Sequence, residues 1–206
     1  MKYKGMRPLT DREIEACVAF IKAKRRCHAR DSMLLLMQCK LGFRIKEMLS
    51  LRIADVYPHP PHTVPGETIT IARRNLKGGK KKGTHVTSRT LPIPHSLTEP
   101  LKQYRKQLQL AGHSQPNDFM FPSTATGGAL RVDSVCKSVR KMARELQLER
   151  VCTHSCRKTF AARVYQDTNN DIMETKAALG HANVATTQNY LSWKVGEKSS
   201  EAIKKF

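Results

Sequence analysis

The stretch from residue 57 to residue 94 constrains the fold more than any other. On either side of it apolar residues recur at helical spacing; inside it they do not. The segment 57-YPHPPHTVPG-66 is broken by prolines and must be a loop, with its histidines solvated. Next, 68-TITIA-72 alternates β-branched residues, 84-THVTSRTLPI-93 does so again, and NLKGGKKKG lies between them. That is the pattern of an antiparallel hairpin closed by a glycine- and lysine-rich turn. A further short strand is expected near 53-IADV-56. One hairpin among helices makes the chain mainly α with a small antiparallel β-sheet, an α+β fold.

The helical segments announce their ends. Thr10 and Glu13 form a capping box ahead of Ile14, Cys17, Val18 and Ile21. A second helix is expected from about Arg30 to Lys40, with Gly42 suited to end it, and a helical pattern resumes from Arg44 to Leu51. Ser96 and Glu99 read as another capping box, leading Leu97, Leu101, Tyr104 and Leu108 to Gly112. Asp133 is expected to cap a helix facing inward through Val135, Val139, Met142 and Leu146, and Thr153 to cap one carrying Phe160 and Val164. Asp171 with Glu174 opens a short helix that stops at Gly180. A last one starts at Asn183 or Thr186 and carries Tyr190. No repeat or linker divides the chain.

Charge narrows the partner. The 37 Lys and Arg residues against 17 Asp and Glu leave a formal net charge of +20, which points to a polyanion, nucleic acid before an anionic membrane. The longest apolar run, 33-MLLLM-37, is far short of the roughly 20 residues of a spanning helix, and MKYKGMRPLT lacks a signal peptide's apolar stretch. The six scattered cysteines are expected to be reduced thiols of a cytoplasmic, nucleoid-associated protein. Cys152, His154 and Cys156 alternate, but no second pair lies nearby to complete a zinc site, and no metal is expected.

One chemistry fits the remaining polar residues. A tyrosine that attacks a phosphodiester starts as a phenol with pKa about 10, so a base or cationic neighbours must help it ionise. The pentacoordinate phosphorus it creates gathers negative charge, which arginine forks offset, and the leaving alkoxide needs a proton. Such a site wants one Tyr, about two Arg, one or two His and a Lys. His154 and Arg157 in 153-THSCRKTF-160 share a helix face. Arg44 in 41-LGFRIKEMLSL-51 follows a glycine break, Lys77 sits where the first hairpin strand enters its turn, and 179-LGHANVATTQNYL-191 adds His181 and Tyr190.

These stretches, in this order, resemble the tyrosine recombinase (phage integrase) family, and 8-PLTDREIE-15 resembles the opening of its catalytic domain. The resemblance implies a site-specific DNA strand transferase. Tyr190 would form a 3′-phosphotyrosyl link, Arg44 and Arg157 would grip nonbridging oxygens, and His154 would accept the phenol proton. His181 would bond the phosphate, Lys77 would protonate the leaving 5′-oxygen, and Glu47 would support Arg44. Lys80, Lys81 and Lys82 are expected to touch DNA phosphates, any of them being an alternative acid. The implied reaction uses no metal, ATP or other cofactor. The implied partners are double-stranded DNA, a homotetramer on paired sites and accessory DNA-bending proteins. Residues 1–190 are expected to form the catalytic domain and 191–206 a tail that docks on a neighbouring protomer, with no N-terminal core-binding domain. Two alternatives share the fold: a DNA-binding regulator that no longer cuts, for which Tyr190 has no use, and a type IB-like topoisomerase.

Overall fold

A computed structural model describes residues 6–59, 62–76 and 87–191. Helix α1 (Asp11–Lys24) begins at the expected box: the Thr10 hydroxyl accepts from the Glu13 amide and the Glu13 carboxylate accepts from the Thr10 amide. Its buried residues Ile14, Cys17 and Ile21 face α2 (His28–Leu41). Helix α2 is buried on nearly all sides because α1, α5 and α7 surround it, which is why its middle reads as one apolar run. Gly42 ends it at φ 60°, a left-handed conformation that favours glycine, and a Cβ there would strike the Phe160 ring. That close approach seats α7 on the end of α2.

Two single turns follow, α3 (Ile45–Met48) and α4 (Ile53–Val56). The expected strand at 53-IADV-56 is therefore a helical turn. The Asp55 carboxylate accepts from the Arg52 amide at 2.7 Å, and the Ile53 and Ala54 amides go to the carbonyls of Asp118 and Pro116. The Asp55 cap together with these distant carbonyls outweighs the β preference of Ile and Val.

Strands β1 (Thr68–Ile71) and β2 (Arg89–Pro92) pair antiparallel, with Ile71 opposite Arg89 and the Thr70 and Thr90 hydroxyls 2.8 Å apart. Among the described residues the second strand begins at Arg89, and 84–86 of the expected strand lie outside them. A 3₁₀ turn, Arg73–Asn75, follows β1.

Three expected caps are replaced by others. Helix α5 (His95–Leu110) starts after Pro94, whose fixed φ presets the first turn. Ser96 thus lies inside the helix and accepts from Lys40, while Glu99 accepts from Gln103. Helix α6 (Val132–Glu145) is preceded by Arg131, so Asp133 sits within the first turn, where a carboxylate favours the helix dipole. Helix α7 (Thr153–Asp167) follows Cys152, whose amide donates to the Ser155 hydroxyl at 3.1 Å; Thr153 is its first residue and is buried. Helix α8 (Ile172–Leu179) starts at Asp171, which accepts from the Met173 and Glu174 amides, and ends at Gly180 with φ 62°. Residues 184–191 form α9, and Asn183 opens it by accepting from the Ala185 amide.

Three apolar clusters hold these elements. One gathers α2 to α5 and the hairpin around Phe43, Tyr57 and Phe121; a second joins α1, α2, α6 and α7; a third packs α7, α8 and α9 through Ala161, Leu179 and Leu191. All six cysteines are free thiols. Among the described residues no helix is long and apolar enough to cross a membrane.

Candidate active site

The site forms where the ends of α2 and α8 meet the start of α7. Arg157 is fully buried one turn into α7. Its Nη1 donates to the Gly42 carbonyl at the end of α2, and its Nη2 donates to the Leu179 carbonyl at 2.7 Å. The same Nη2 lies 3.2 Å from Nε2 of His181. A guanidinium can only donate, so Nε2 accepts and the imidazole proton sits on Nδ1, which faces the Thr187 hydroxyl at 3.0 Å. His181 is itself buried, and burial, then Arg157, Arg44 and Arg89, hold its pKa down to about 4. It is neutral at physiological pH.

Tyr190, on α9, packs its ring 5.1 Å from the His181 ring at an angle of 64°. The Arg157 guanidinium carbon and the Lys158 ammonium stand 5.9 Å and 5.8 Å from the centre of that ring. Burial, then Arg44, pull the Arg157 pKa down to about 10, while Tyr190 and Glu47 oppose the shift; the group stays charged at pH 7.

Arg44 stands just before α3, exposed to the depth of a third of its side chain. Its Nη1 donates to Glu47 Oε1 and its amide to Glu47 Oε2, both at 2.8 Å. Glu47 is buried, so the carboxylate fixes where Arg44 starts and leaves the rest of the guanidinium free to face outward. His154 lies exposed in the first turn of α7; desolvation and then Arg157, Arg44 and Lys158 lower its pKa, which favours the neutral imidazole. Arg44 also lines a groove of about 870 Å³, where Lys46, Arg74 and Arg131 outnumber Glu47 and Asp133 in charge.

Thus His181, Arg157 and Tyr190 are in mutual contact, Arg44 is paired with Glu47, and His154 lies one helical turn from Arg157. Lys77, Lys80, Lys81 and Lys82 lie outside the described residues, as does the tail beyond Leu191. Three participants escaped the sequence reading. Lys158 follows Arg157 and is buried against the tyrosine. Thr187 is fully buried behind His181. Arg89 faces inward from β2, its guanidinium 4.7 Å above the Phe43 ring. The signal for Arg89 was its phase: it alternates with Leu91 and Ile93 on the inward side of the strand.

The phage integrase family model matches residues 7–195. This chain belongs to the phage integrase family. Among curated members, it is 26% identical over 195 residues to transposase A of transposon Tn554 from Staphylococcus aureus, covering 92% of this chain and 49% of that one. It is 28% identical to the probable integrase/recombinase YoeC of Bacillus subtilis, covering 79% of this chain and 77% of YoeC. It is 30% identical to tyrosine recombinase XerC of Chromohalobacter salexigens, covering 80% and 49%. The chain thus spans about half the length of most of these integrase-family relatives. The fold matches the XerH site-specific recombinase, solved on its difH substrate, with TM-score 0.68 at 23% identity, over 97% of this chain and 53% of XerH. It also matches the catalytic domain of bacteriophage HP1 integrase with TM-score 0.57 at 19% identity, over 97% and 94%. The tyrosine recombinase catalytic fold, mainly helical with a small antiparallel sheet, is the one expected from the sequence.

Proposed function

We propose that this chain is a DNA strand transferase for site-specific recombination, acting through a phosphotyrosyl intermediate on Tyr190. The observation that carries the reading is the contact of Tyr190 with a buried guanidinium, Arg157, and a buried neutral imidazole, His181. A packing tyrosine has no need of buried cations around it, whereas a phosphoryl transition state does.

In this reading a phosphodiester of double-stranded DNA lies in the groove beside Arg44. Arg44 and Arg157 take its nonbridging oxygens. The Tyr190 phenol oxygen forms a bond to phosphorus as the bond from phosphorus to the 5′-oxygen breaks. His154, whose pKa is lowered by desolvation and then by its cationic neighbours, accepts the phenol proton. A hairpin lysine, Lys77 by sequence position, gives a proton to the leaving 5′-oxygen. Reversal with a 5′-hydroxyl from another strand restores the phosphodiester and frees Tyr190. The phosphotyrosine keeps the bond energy, so no nucleotide hydrolysis is required.

His181 has a role the tautomer defines. Its Nε2 accepts from Arg157. If a phosphate oxygen takes that Arg157 hydrogen, His181 can carry its proton on Nε2 and donate to the phosphate. Thr187 permits the exchange because a hydroxyl accepts from Nδ1–H and donates equally well to bare Nδ1.

The test uses nicked duplexes with a 5′-bridging phosphorothiolate set in randomised sequence, which trap the covalent adduct. The wild type is expected to yield a protein–DNA adduct that Tyr190→Phe does not. No adduct from the wild type, or one that persists in Tyr190→Phe, rejects the proposal.

A further inference from the structure

Helix α8 ends with two carbonyls that its own backbone does not satisfy. The Gly180 amide bonds back to Ala177 and Lys176, and the His181 amide to Lys176, which leaves Ala178 and Leu179. Arg157 takes the Leu179 carbonyl, and Arg89 Nη2 takes the Ala178 carbonyl. Two guanidinium groups from different elements therefore cap one helix, at the end where its dipole favours positive charge. The residue that follows this cap and Gly180 is His181.

Arg89 touches more than the cap. Its guanidinium lies over Phe43, and its Nη1 is 4.0 Å from Glu47 Oε2, the oxygen that accepts from the Arg44 amide. Its stem lies against Gly180, where an added Cβ would be 3.1 Å from Arg89 Cδ. The side chain is 10% exposed, and among the described residues neither Nε nor Nη1 makes a hydrogen bond. Burial, then Arg157, work against its charge and lower its pKa to about 9, which still leaves it cationic at pH 7. A buried cation with two idle donors is costly unless its placement does something.

We infer that Arg89 is a positioning residue that clamps the α8–α9 turn to the Glu47–Arg44 pair, so that His181 stands at a fixed place relative to the arginines of the site. It sets the separation of segments that are otherwise far apart in sequence: β2, the end of α2, α3 and the turn leading to Tyr190. It does not act on phosphorus, since its hydrogens are spent on, or shielded by, protein. The inference rests on the strand-transfer reading for its kinetic consequence, but not for its structural one.

Three variants separate the parts of this role. Arg89→Met keeps the stem on Phe43 and removes the fork; Arg89→Lys keeps a charge without the fork; Tyr190→Phe controls for the chemistry. In single-turnover cleavage at saturating trapped duplex, Arg89→Met is expected to lower the rate about tenfold to a hundredfold, the usual effect of losing a charged hydrogen bond, with duplex affinity within about threefold. The second measurement needs no DNA: titration of the His181 ring by NMR in the free protein. Arg157 from α7 and Tyr190 from α9 touch His181, and Arg44 and Arg89 act on its charge; of the charged groups around these, Lys158 stands over Tyr190, His154 lies one turn from Arg157, and Glu47 pairs with Arg44 and faces Arg89. Removing the Arg89 charge is expected to move the His181 titration upward, and Arg89→Lys to restore it while cleavage stays slow. Wild-type cleavage rates in Arg89→Met or Arg89→Lys overturn the inference. So does an unmoved His181 titration in folded Arg89→Met, and if Arg89→Met does not fold, Arg89→Lys decides by its rate. Should the wild type form no adduct at all, the strand-transfer reading fails, and the titration alone judges Arg89.

Discussion

Thr187 places its hydroxyl 3.0 Å from Nδ1 of His181, six residues back along the chain, and is itself fully buried. Arg157, which can only donate to Nε2, sets the tautomer with the proton on Nδ1, and the Thr187 hydroxyl is the acceptor for that proton. Thr187→Val, nearly the same shape, leaves the Nδ1–H without a partner at a cost of about 1–3 kcal/mol. Cleavage is expected to fall about tenfold or more on that basis. Nitrogen chemical shifts of the His181 ring check the tautomer, and single-turnover rates check the consequence.

His181 also gives stability a pH dependence. Its pKa is about 4 in the fold against an ordinary value near 6.5 when unfolded, so between those values the unfolded chain binds more protons. Stability from this residue is present above pH 6.5 and is lost as pH falls toward 4. Melting temperature should therefore drop with acidification through that window, and His181→Gln should flatten the drop. An unchanged slope in the variant would remove His181 as its source.

Arg157→Lys should behave as a loss, not a conservative change. A single ammonium cannot serve the Gly42 and Leu179 carbonyls and His181 together. Cleavage is expected to fall about a hundredfold or more, in line with losing a preorganised donor to a transition-state anion, while DNA affinity changes little. Binding measured by anisotropy and cleavage by adduct yield separate the two.

Gly42→Ala tests the seat of α7. The left-handed φ and the Phe160 ring both oppose a Cβ, so urea unfolding should show a loss of about 2–4 kcal/mol, combining backbone strain with overpacking.

On the strand-transfer reading, the net charge of +20 should make affinity for duplex DNA steeply dependent on salt. Neutralising about six or more phosphates implies a loss of about a thousandfold between 50 and 200 mM salt. A flat response would mean that the basic surface is not what meets the duplex.

The sequence was legible where the chemistry is local. The Thr10–Glu13 and Asp171 caps, Gly42, Gly180 and the inward faces of α1 and α6 follow from residues within a turn of each other. His154 with Arg157, and His181 with Tyr190, were recognisable because each pair sits in one short segment. The 53-IADV-56 turn was not, because its amides answer to Asp118 and Pro116, some sixty residues away. Pro94 and Cys152 displaced the expected Ser96 and Thr153 caps by one or two residues, a difference that spacing alone does not resolve. Arg89 was hidden for a related reason. Its partners Phe43, Glu47 and Ala178 come from three separate elements, and only folding brings them to it.

Arg157 and Arg89 are anchored by peptide carbonyls of Gly42, Leu179 and Ala178. An acceptor that every amino acid carries cannot be mutated away. Neighbouring side chains can therefore drift without moving these two charges, provided the path of the main chain is kept, and substitutions that bend that path should be felt at the tyrosine even from a distance.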